Sequence, residues 1–410
     1  MSTPSTTTST PDGSDGQRVS SRRFPAGEEA DIAARGGSAT ATEISQQPEV
    51  WCDVAEVVRH REQEVRSFLD PLLAHPGSRI VLSGAGTSAF VGAVLAPALA
   101  RALGRRVDAV ATTDVVSNPR EVFAEDVPTL FVSCARSGDS PESVAATVIA
   151  STCLTSVHHL VVTCNPDGRL ALDHAGSASS LVLLMPAATD DKGFAMTSSF
   201  TSMLLATWLV LAPSAGDTPS TDGDLVKRLA GAGEQVLRSG DELAEIAARG
   251  YDRVVYLGSG VLGGLARESA LKLLELTAGS IVSFFDTALG FRHGPKAVLR
   301  EGTLAVVFLS NDPYTRRYDE DIAAELRASL GAGNVLVVAA SGPVPGAGEG
   351  WRVEGLEEVG DALLALPFVM VAQLLALRFS LATGRTPDNP FPDGEVNRVV
   401  QGVRVHPLQP

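Results

Sequence analysis

Short apolar runs, each followed by a stretch of helical periodicity, set the pattern of this chain. Arg79-Ile80-Val81-Leu82-Ser83-Gly84-Ala85-Gly86 is a β-branched run closed by G-x-G, and an apolar helical stretch follows it. The arrangement returns 174 residues later as Arg253-Val254-Val255-Tyr256-Leu257-Gly258-Ser259-Gly260. Thr129-Leu130-Phe131-Val132 stands at the same offset from Thr303-Leu304-Ala305-Val306, and Leu160-Val161-Val162 matches Val335-Leu336-Val337 one residue further on. Short apolar runs alternating with helical stretches predict buried parallel strands in βαβ units. Two copies predict two doubly wound α/β domains, over 49–212 and 225–385. The segment 213–224, rich in Pro, Ser, Thr and Asp, is the expected linker. In such sheets ligands bind beyond the carboxyl ends of the strands, so the residues just after each strand carry the candidate chemistry.

Two longer apolar runs need a separate reading. Met203–Ala212 is short, and Ala362–Leu377 is interrupted by Pro367 and Gln373. A membrane span takes about 20 predominantly apolar residues, so both are expected to be buried helices. The first 48 residues, with eight Ser or Thr among the first ten, show neither an apolar stretch nor an Arg-rich amphipathic pattern. They read as a disordered, solvated arm without a targeting role, and residues 386–410 as a tail packing on the site.

Composition narrows the function. Hydrophobic residues make up 44% and charged residues 20% of 410, which is globular. The net charge of −15 argues against nucleic acid or an anionic membrane as the main partner. A local nest of donors can still hold an anionic metabolite. Cys52, Cys134, Cys153 and Cys164 form no C-x-x-C pair and no zinc pattern, and are expected as reduced thiols in a cytoplasmic protein.

The first copy has the makings of a phosphate cradle. Gly86 lets the backbone approach an anion, and the hydroxyls of Thr87 and Ser88 can donate at the helix start; a tight turn would look the same. The loop Ala135-Arg136-Ser137-Gly138-Asp139-Ser140-Pro141-Glu142-Ser143 places Pro141 at a first helical position and Ser140 at the N-cap. A capped helix needs one serine; Arg136, Ser137 and Ser143 crowd the same turn, which suits a dianion. The second copy lacks the serine-rich loop, reading Ser310-Asn311-Asp312-Pro313 instead. It carries Glu268, Lys272 and Glu275 at i, i+4 and i+7 on one helix face. They are either a solvated ion-pair face or, with Glu275 in a cleft, a general base. His293, followed by Gly294-Pro295, sits on a turn beside Arg292 and Lys296, whose charges suggest an anionic environment. It is either solvated or the group that opens a sugar ring.

These motifs resemble the SIS (sugar isomerase) superfamily: Ser83–Ser88, Ala135–Ser143, Glu268–Leu276 and Phe291–Lys296. Asp191-Lys192-Gly193-Phe194-Ala195-Met196-Thr197-Ser198-Ser199 and Val396–Val403 narrow the resemblance to the AgaS subfamily, the galactosamine-6-phosphate deaminase/isomerases. The match runs from about residue 45 to the C-terminus. The resemblance implies three-layer α-β-α domains with a mainly parallel, flavodoxin-like sheet. It also implies a homodimer, with a site between the domains that a neighbouring chain can complete. It further implies sugar-phosphate binding by Gly86, Thr87, Ser88, Arg136, Ser137, Ser140, Thr197, Lys272 and Gln401. By analogy with the isomerase half of glucosamine-6-phosphate synthase, Glu275 matches the base and His293 the ring-opening residue. That synthase has a Schiff-base lysine where Gln401 stands here, which favours deamination or isomerisation over synthesis. The expected reaction takes an amino-sugar 6-phosphate to a ketose 6-phosphate and ammonia, with no metal or organic cofactor. The rivals are a plain aldose–ketose isomerase and a non-catalytic sugar-phosphate sensor.

Overall fold

The computed structural model describes residues 24, 26–212, 223–342, 350–400 and 402–408. Gln401 and residues 213–222 of the linker lie outside the described residues, as does the arm before Phe24.

Both predicted sheets form, and their wiring is the same. In the first half β1 (Arg79–Gly84), β2 (Val107–Ala111), β3 (Thr129–Ala135), β4 (Val157–Thr163) and β5 (Ser180–Leu184) pair in the order β2-β1-β3-β4-β5. In the second, β6 (Arg253–Leu257), β7 (Val282–Asp286), β8 (Thr303–Phe308), β9 (Val335–Ala339) and β10 (Gly350–Arg352) pair as β10-β9-β8-β6-β7, the same order read from the other edge. Every pairing is parallel. The register is also repeated, with Arg79 opposite Thr129 and Arg253 opposite Thr303. The strands the sequence pattern missed are β2, β5, β7 and β10, which end each sheet and are less completely buried than the central ones.

Helices follow the same duplicated plan. The first half opens with α1 (Ala26–Ala34), α2 (Ser38–Ser45), α3 (Gln47–His60) and α4 (Glu62–Leu73). After its strands come α5 (Thr87–Leu103), the short α6 (Thr112–Ser117) and α7 (Pro119–Val122), then α8 (Pro141–Cys153), α9 (Arg169–His174) and α10 (Ser198–Leu211). The second half has α11 (Gly223–Arg238) and α12 (Gly240–Ala247) before β6. Behind it come α13 (Val261–Leu276), α14 (Pro313–Leu330) and α15 (Asp361–Ala382). The apolar runs read as buried helices are α10 and α15. The second is long and apolar enough to cross a membrane, yet it is buried along its whole apolar window.

One hydrophobic core serves both halves. Ile80 and Leu82 of β1 share it with Val254 and Tyr256 of β6, while Val81, Val255 and Leu257 face separate clusters on the outer sides. The layer between the sheets is therefore common property, and α13 packs on both α5 and α15. Helices α5 and α13 run antiparallel: Gly264 lies on Ala93, the Arg267 guanidinium 4.8 Å over the Phe90 ring, and Lys272 on Thr87.

The expectation of a disordered arm through residue 48 is corrected. Residues from Ala26 onward are helical, and Ile32, Ile44 and Gln47 are buried. Their apolar positions are too sparse to show a period. They are held instead by long-range polar contacts, such as Gln47 donating to Gln373 at 2.7 Å and Thr40 bonding Asp388.

The closeness of α5 and α13 rests on Gly264, where a Cβ would stand 2.7 Å from the carbonyl carbon of Ala93. Gly264→Val must push the helices apart, at about 1–3 kcal/mol for overpacking. Urea unfolding is expected to show a lowered midpoint; an unchanged midpoint would mean that the halves are not locked at this crossing.

Candidate active site

The antiparallel crossing brings the last turns of α13 onto the first turn of α5. That first turn is reached through a loop whose N-cap glycine, Gly86, has φ 54° and ψ −128°. Gly260 repeats this conformation before α13. A side chain would be strained there, which explains the second glycine of each G-x-G; at the first, a Cβ on Gly84 would stand 2.5 Å from the Ser88 carbonyl carbon and one on Gly258 2.4 Å from the Leu262 carbonyl oxygen.

Lys272 and Glu268 are completely buried, so a solvated ion-pair face is ruled out for them. The Lys272 ammonium donates to Thr87 Oγ1 at 2.8 Å and lies 2.5 Å from Glu275 Oε2 and 3.5 Å from Glu268 Oε1. Thr87 in turn donates to Glu268 at 3.5 Å. Glu275 keeps 24% of its side chain exposed, so it is the triad member with access to a ligand. Burial pushes the Glu268 carboxyl up to about 8 against the pull of Lys272, and Glu275 adds to the rise. Burial pulls Lys272 down, but Glu268 and Glu275 more than offset this and hold it above its ordinary value. The consistent state is an ammonium paired with Glu275 beside a protonated Glu268, whose Oε2 is buried without a partner among the described residues.

Arg136, on the loop after β3, is buried. Its Nη2 donates to the Arg398 carbonyl at 3.1 Å, while Nη1 is buried without a partner among the described residues. Burial and then Arg398 hold its guanidinium below the usual arginine range, with Asp191 and Glu275 acting the other way. The field of Glu275 from the second half thus reaches the cradle of the first. Ser140 occupies the N-cap with Pro141 behind it, as the sequence indicates. Its hydroxyl does not cap, but donates to Ser143 Oγ at 2.6 Å. Ser137 Oγ accepts from the Asp139 N–H at 3.3 Å.

The motif 191–199 is organised by Asp191, a role the sequence did not reveal. Its buried carboxylate accepts the N–H of Thr197 at 2.8 Å and of Ser199 at 2.9 Å, together with both serine hydroxyls of Ser198 and Ser199. Among the described residues Thr197 Oγ1 is left buried without a partner. Ser88 Oγ lies 3.8 Å from Met196 Sδ, so this motif abuts the G-x-G loop. Arg398 donates to the Asp191 carbonyl, which brings the tail to the same place.

The sister loop of the second half explains the asymmetry between the copies. Its donors are spent on the chain's own carboxylates. Asp319 accepts from Ser259 Oγ at 2.5 Å and Ser310 N–H at 3.1 Å; Asp361 accepts from Ser310 Oγ at 2.5 Å and Asn311 N–H at 2.8 Å. Asp312 caps α14 through the N–H groups of Tyr314 and Thr315. Where the first half leaves Arg136 Nη1 and Thr197 Oγ1 unspent, the second has filled the equivalent region from within.

His293 follows a 3-10 turn, Gly290–Arg292, and is exposed. Among the described residues it makes no hydrogen bond with the groups around Lys272. The cations beside it do not mark an anion site, contrary to expectation. Arg292 Nε lies 2.7 Å from Glu325 on α14, and Lys296 pairs with the same carboxylate. Within one chain the structure therefore joins Gly86, Thr87, Ser88, Arg136, Thr197, Lys272 and Glu275, with Ser137 and Ser140 on the adjoining loop, and leaves His293 apart. Among the described residues no cluster of three His, Cys, Asp or Glu side chains is placed to hold a metal ion.

Two sheets of identical wiring, with a donor-rich loop in one half and a buried acid–base triad delivered from the other, define a tandem phosphosugar-domain protein. The chain belongs to the SIS domain family, whose model matches residues 72–213 and 249–382. A Streptomyces coelicolor protein provisionally named D-galactosamine-6-phosphate deaminase AgaS is 57% identical over 373 residues, 90% of this chain and 95% of that protein. D-Galactosamine-6-phosphate deaminase AgaS of Escherichia coli is 44% identical over 381 residues, 92% and 98% of the two chains. The crystal structure of tagatose-6-phosphate ketose/aldose isomerase from Escherichia coli superposes with a TM-score of 0.84 at 41% identity, covering 91% of this chain and 98% of that one.

The protonated Glu268 yields a pH prediction. Its carboxyl ionises near 4.5 in the open chain and near 8 in the fold. The folded state thus holds an extra proton between these values, and the stability this gives is complete below about 4.5 and lost as pH rises through about 8. Urea unfolding at pH 6 and pH 9 should show the wild type losing more stability than Glu268→Gln. Equal losses would mean that Glu268 is already ionised at neutral pH.

Proposed function

We propose that the protein converts an amino-sugar 6-phosphate, D-galactosamine 6-phosphate as the leading candidate, to tagatose 6-phosphate and ammonia. The reading rests on one observation: the α5–α13 crossing puts the Lys272–Glu275 pair on Thr87, at the mouth of the cradle whose sister loop is filled by Asp319 and Asp361. The start of α5, which belongs to the anion cradle, and the acid–base pair then meet at one threonine.

In this reading Ser88, Ser137, Ser140 and Arg136 hold the 6-phosphate, with Gly86 and Thr197 lining the approach. His293 moves a proton from the anomeric hydroxyl to the ring oxygen and opens the ring. Glu275 takes the C2 proton, the electrons pass to the C1 carbonyl oxygen, and a proton shed by the substrate's own ammonium group reaches that oxygen to give an enaminol. The proton is returned at C1, which leaves an imine at C2. Water then adds, and ammonia leaves with the ketose. Lys272 pairs with Glu275 and holds it in place for both transfers. Gln401, in the tail, belongs to the substrate-binding set.

His293 acts in this scheme from a neighbouring chain of a cytoplasmic homodimer. Support for a second copy comes from the edge strand β7 and the turn after it, where Val282, Phe285 and Leu289 are exposed just before His293. A second reading, isomerisation of the ketose phosphate without loss of nitrogen, is favoured by the name of the Escherichia coli structure.

Purified protein mixed with galactosamine 6-phosphate should release ammonia and a ketose phosphate in equal amounts. Folded protein that leaves both at background overturns the proposal, and isomer exchange without ammonia selects the second reading. Glu275→Gln is expected to cost about 10²–10⁴-fold in kcat, the usual worth of a general base, with sugar-phosphate binding retained. Wild-type turnover in this variant would remove Glu275 from the mechanism.

A further inference from the structure

Glu43 stands in α2, within the stretch that the sequence pattern assigned to a disordered arm. It is 5% exposed, and its carboxylate is spent on the backbone of a distant segment. It accepts the N–H of Lys192, and that of Gly193 at 3.0 and 3.2 Å to its two oxygens. The approach leaves no room for a side chain at 193: a Cβ there would stand 2.8 Å from Glu43 Oε2 and 2.9 Å from Thr40 Oγ1. Gln46 donates to the Ala188 carbonyl at 2.7 Å and to Ser198 Oγ at 2.8 Å. On its other side α2 is tied to the tail, since Asp388 accepts from Ala39 N–H at 2.9 Å and from Thr40 N–H and Oγ1 at 2.7 Å.

A buried carboxylate is a costly way to fill this space. Burial and the neighbouring Asp191 push Glu43 up to about 7, Asp388 adds to the rise, and the two N–H groups pull it down. An apolar side chain would pack here without that cost but would leave the two N–H groups without an acceptor. What the carboxylate supplies is a fixed register for residues 192 and 193. Those residues adjoin Asp191, which orients Thr197, Ser198 and Ser199 and accepts, through its main chain, the guanidinium of Arg398, whose own carbonyl accepts from Arg136.

We infer that Glu43 is a positioning residue for the sugar-phosphate site. It sets the 191–199 turn so that the unspent Thr197 Oγ1 and the Arg136–Arg398 contact face the ligand. It touches no reacting atom, and the inference rests on the function proposed above. Residues 38–45 reach the site through this turn, so the helix, which precedes the first SIS unit, belongs to the active site.

The full-length chain tests this as wild type, Glu43→Gln and Glu43→Ala. Glutamine keeps an acceptor oxygen for the two N–H groups; alanine removes it. The readouts are steady-state deamination of galactosamine 6-phosphate, the melting point, and amide exchange over residues 188–199. The alanine variant should raise KM about tenfold or more with kcat changed less than about threefold. Its amides at 192–199 should exchange faster, and glutamine should restore most of the KM. A KM for the alanine variant within about twofold of wild type overturns the assignment. So does an equal loss in both variants that follows a fall in melting point. If wild type releases no ammonia, the functional reading fails separately, and exchange decides the role of Glu43. Added inorganic phosphate should then slow exchange at 197–199 in wild type but not in the alanine variant; equal behaviour in the two refutes it.

Discussion

The structure depends on one buried contact, the Lys272 ammonium held between two glutamates of its own helix and a threonine hydroxyl of the other half. A charge with no solvent exposure is tolerable only with close counter-charges and a hydrogen bond to complete them. Lys272 obtains the counter-charge from Glu275 and the hydrogen bond from Thr87. Since the partners come from both halves, the contact fixes how the two sheets are set against each other. It also anchors Glu275, which stays partly open to solvent. Domain packing and site chemistry are the same interaction seen from two directions.

Duplication makes the asymmetry interpretable. The two halves share strand order, register and the positive-φ glycine before the first central helix, so any difference at equivalent positions is a difference of use. Asp319 and Asp361 close the second loop with carboxylate oxygens, where the first loop has serines and an arginine. Asp319 bears the mark of that arrangement: burial raises its carboxyl to about 6 even though Ser259 and the Ser310 N–H stabilise its ionised form.

The central strands were legible because they are buried on both faces, and unbroken apolar runs such as Ile80–Leu82 and Val254–Leu257 have few other uses. Outer strands such as β7 carry a mixed pattern and a partly exposed face, so no run marks them. The spacing of Glu268, Lys272 and Glu275 placed them on one face of a helix. It could not say whether that face meets water or a neighbouring helix, because the answer depends on Gly264 and Ala93, in different halves. Asp191, Glu43 and Arg398 were invisible as site-building residues for a related reason: their partners are more than a hundred residues away, or are main-chain groups with no sequence signature. The arm was misread where hydrogen bonds, rather than apolar spacing, hold it.

The final helix, α15, has a further consequence for how this protein is made. It is almost wholly apolar, lies inside the shared core, and leaves the ribosome after the strands of both sheets. Until it docks, the layer between the sheets lacks its central filling, and α11, α12 and α13 present greasy flanks to water. A chain cut short before residue 361 would retain every group of the Glu268–Lys272–Glu275 triad, yet lack the wedge that seals them from water. Termination before this helix therefore leaves a fragment with uncovered apolar flanks, and the shared layer is completed only after the strands of both sheets have been made.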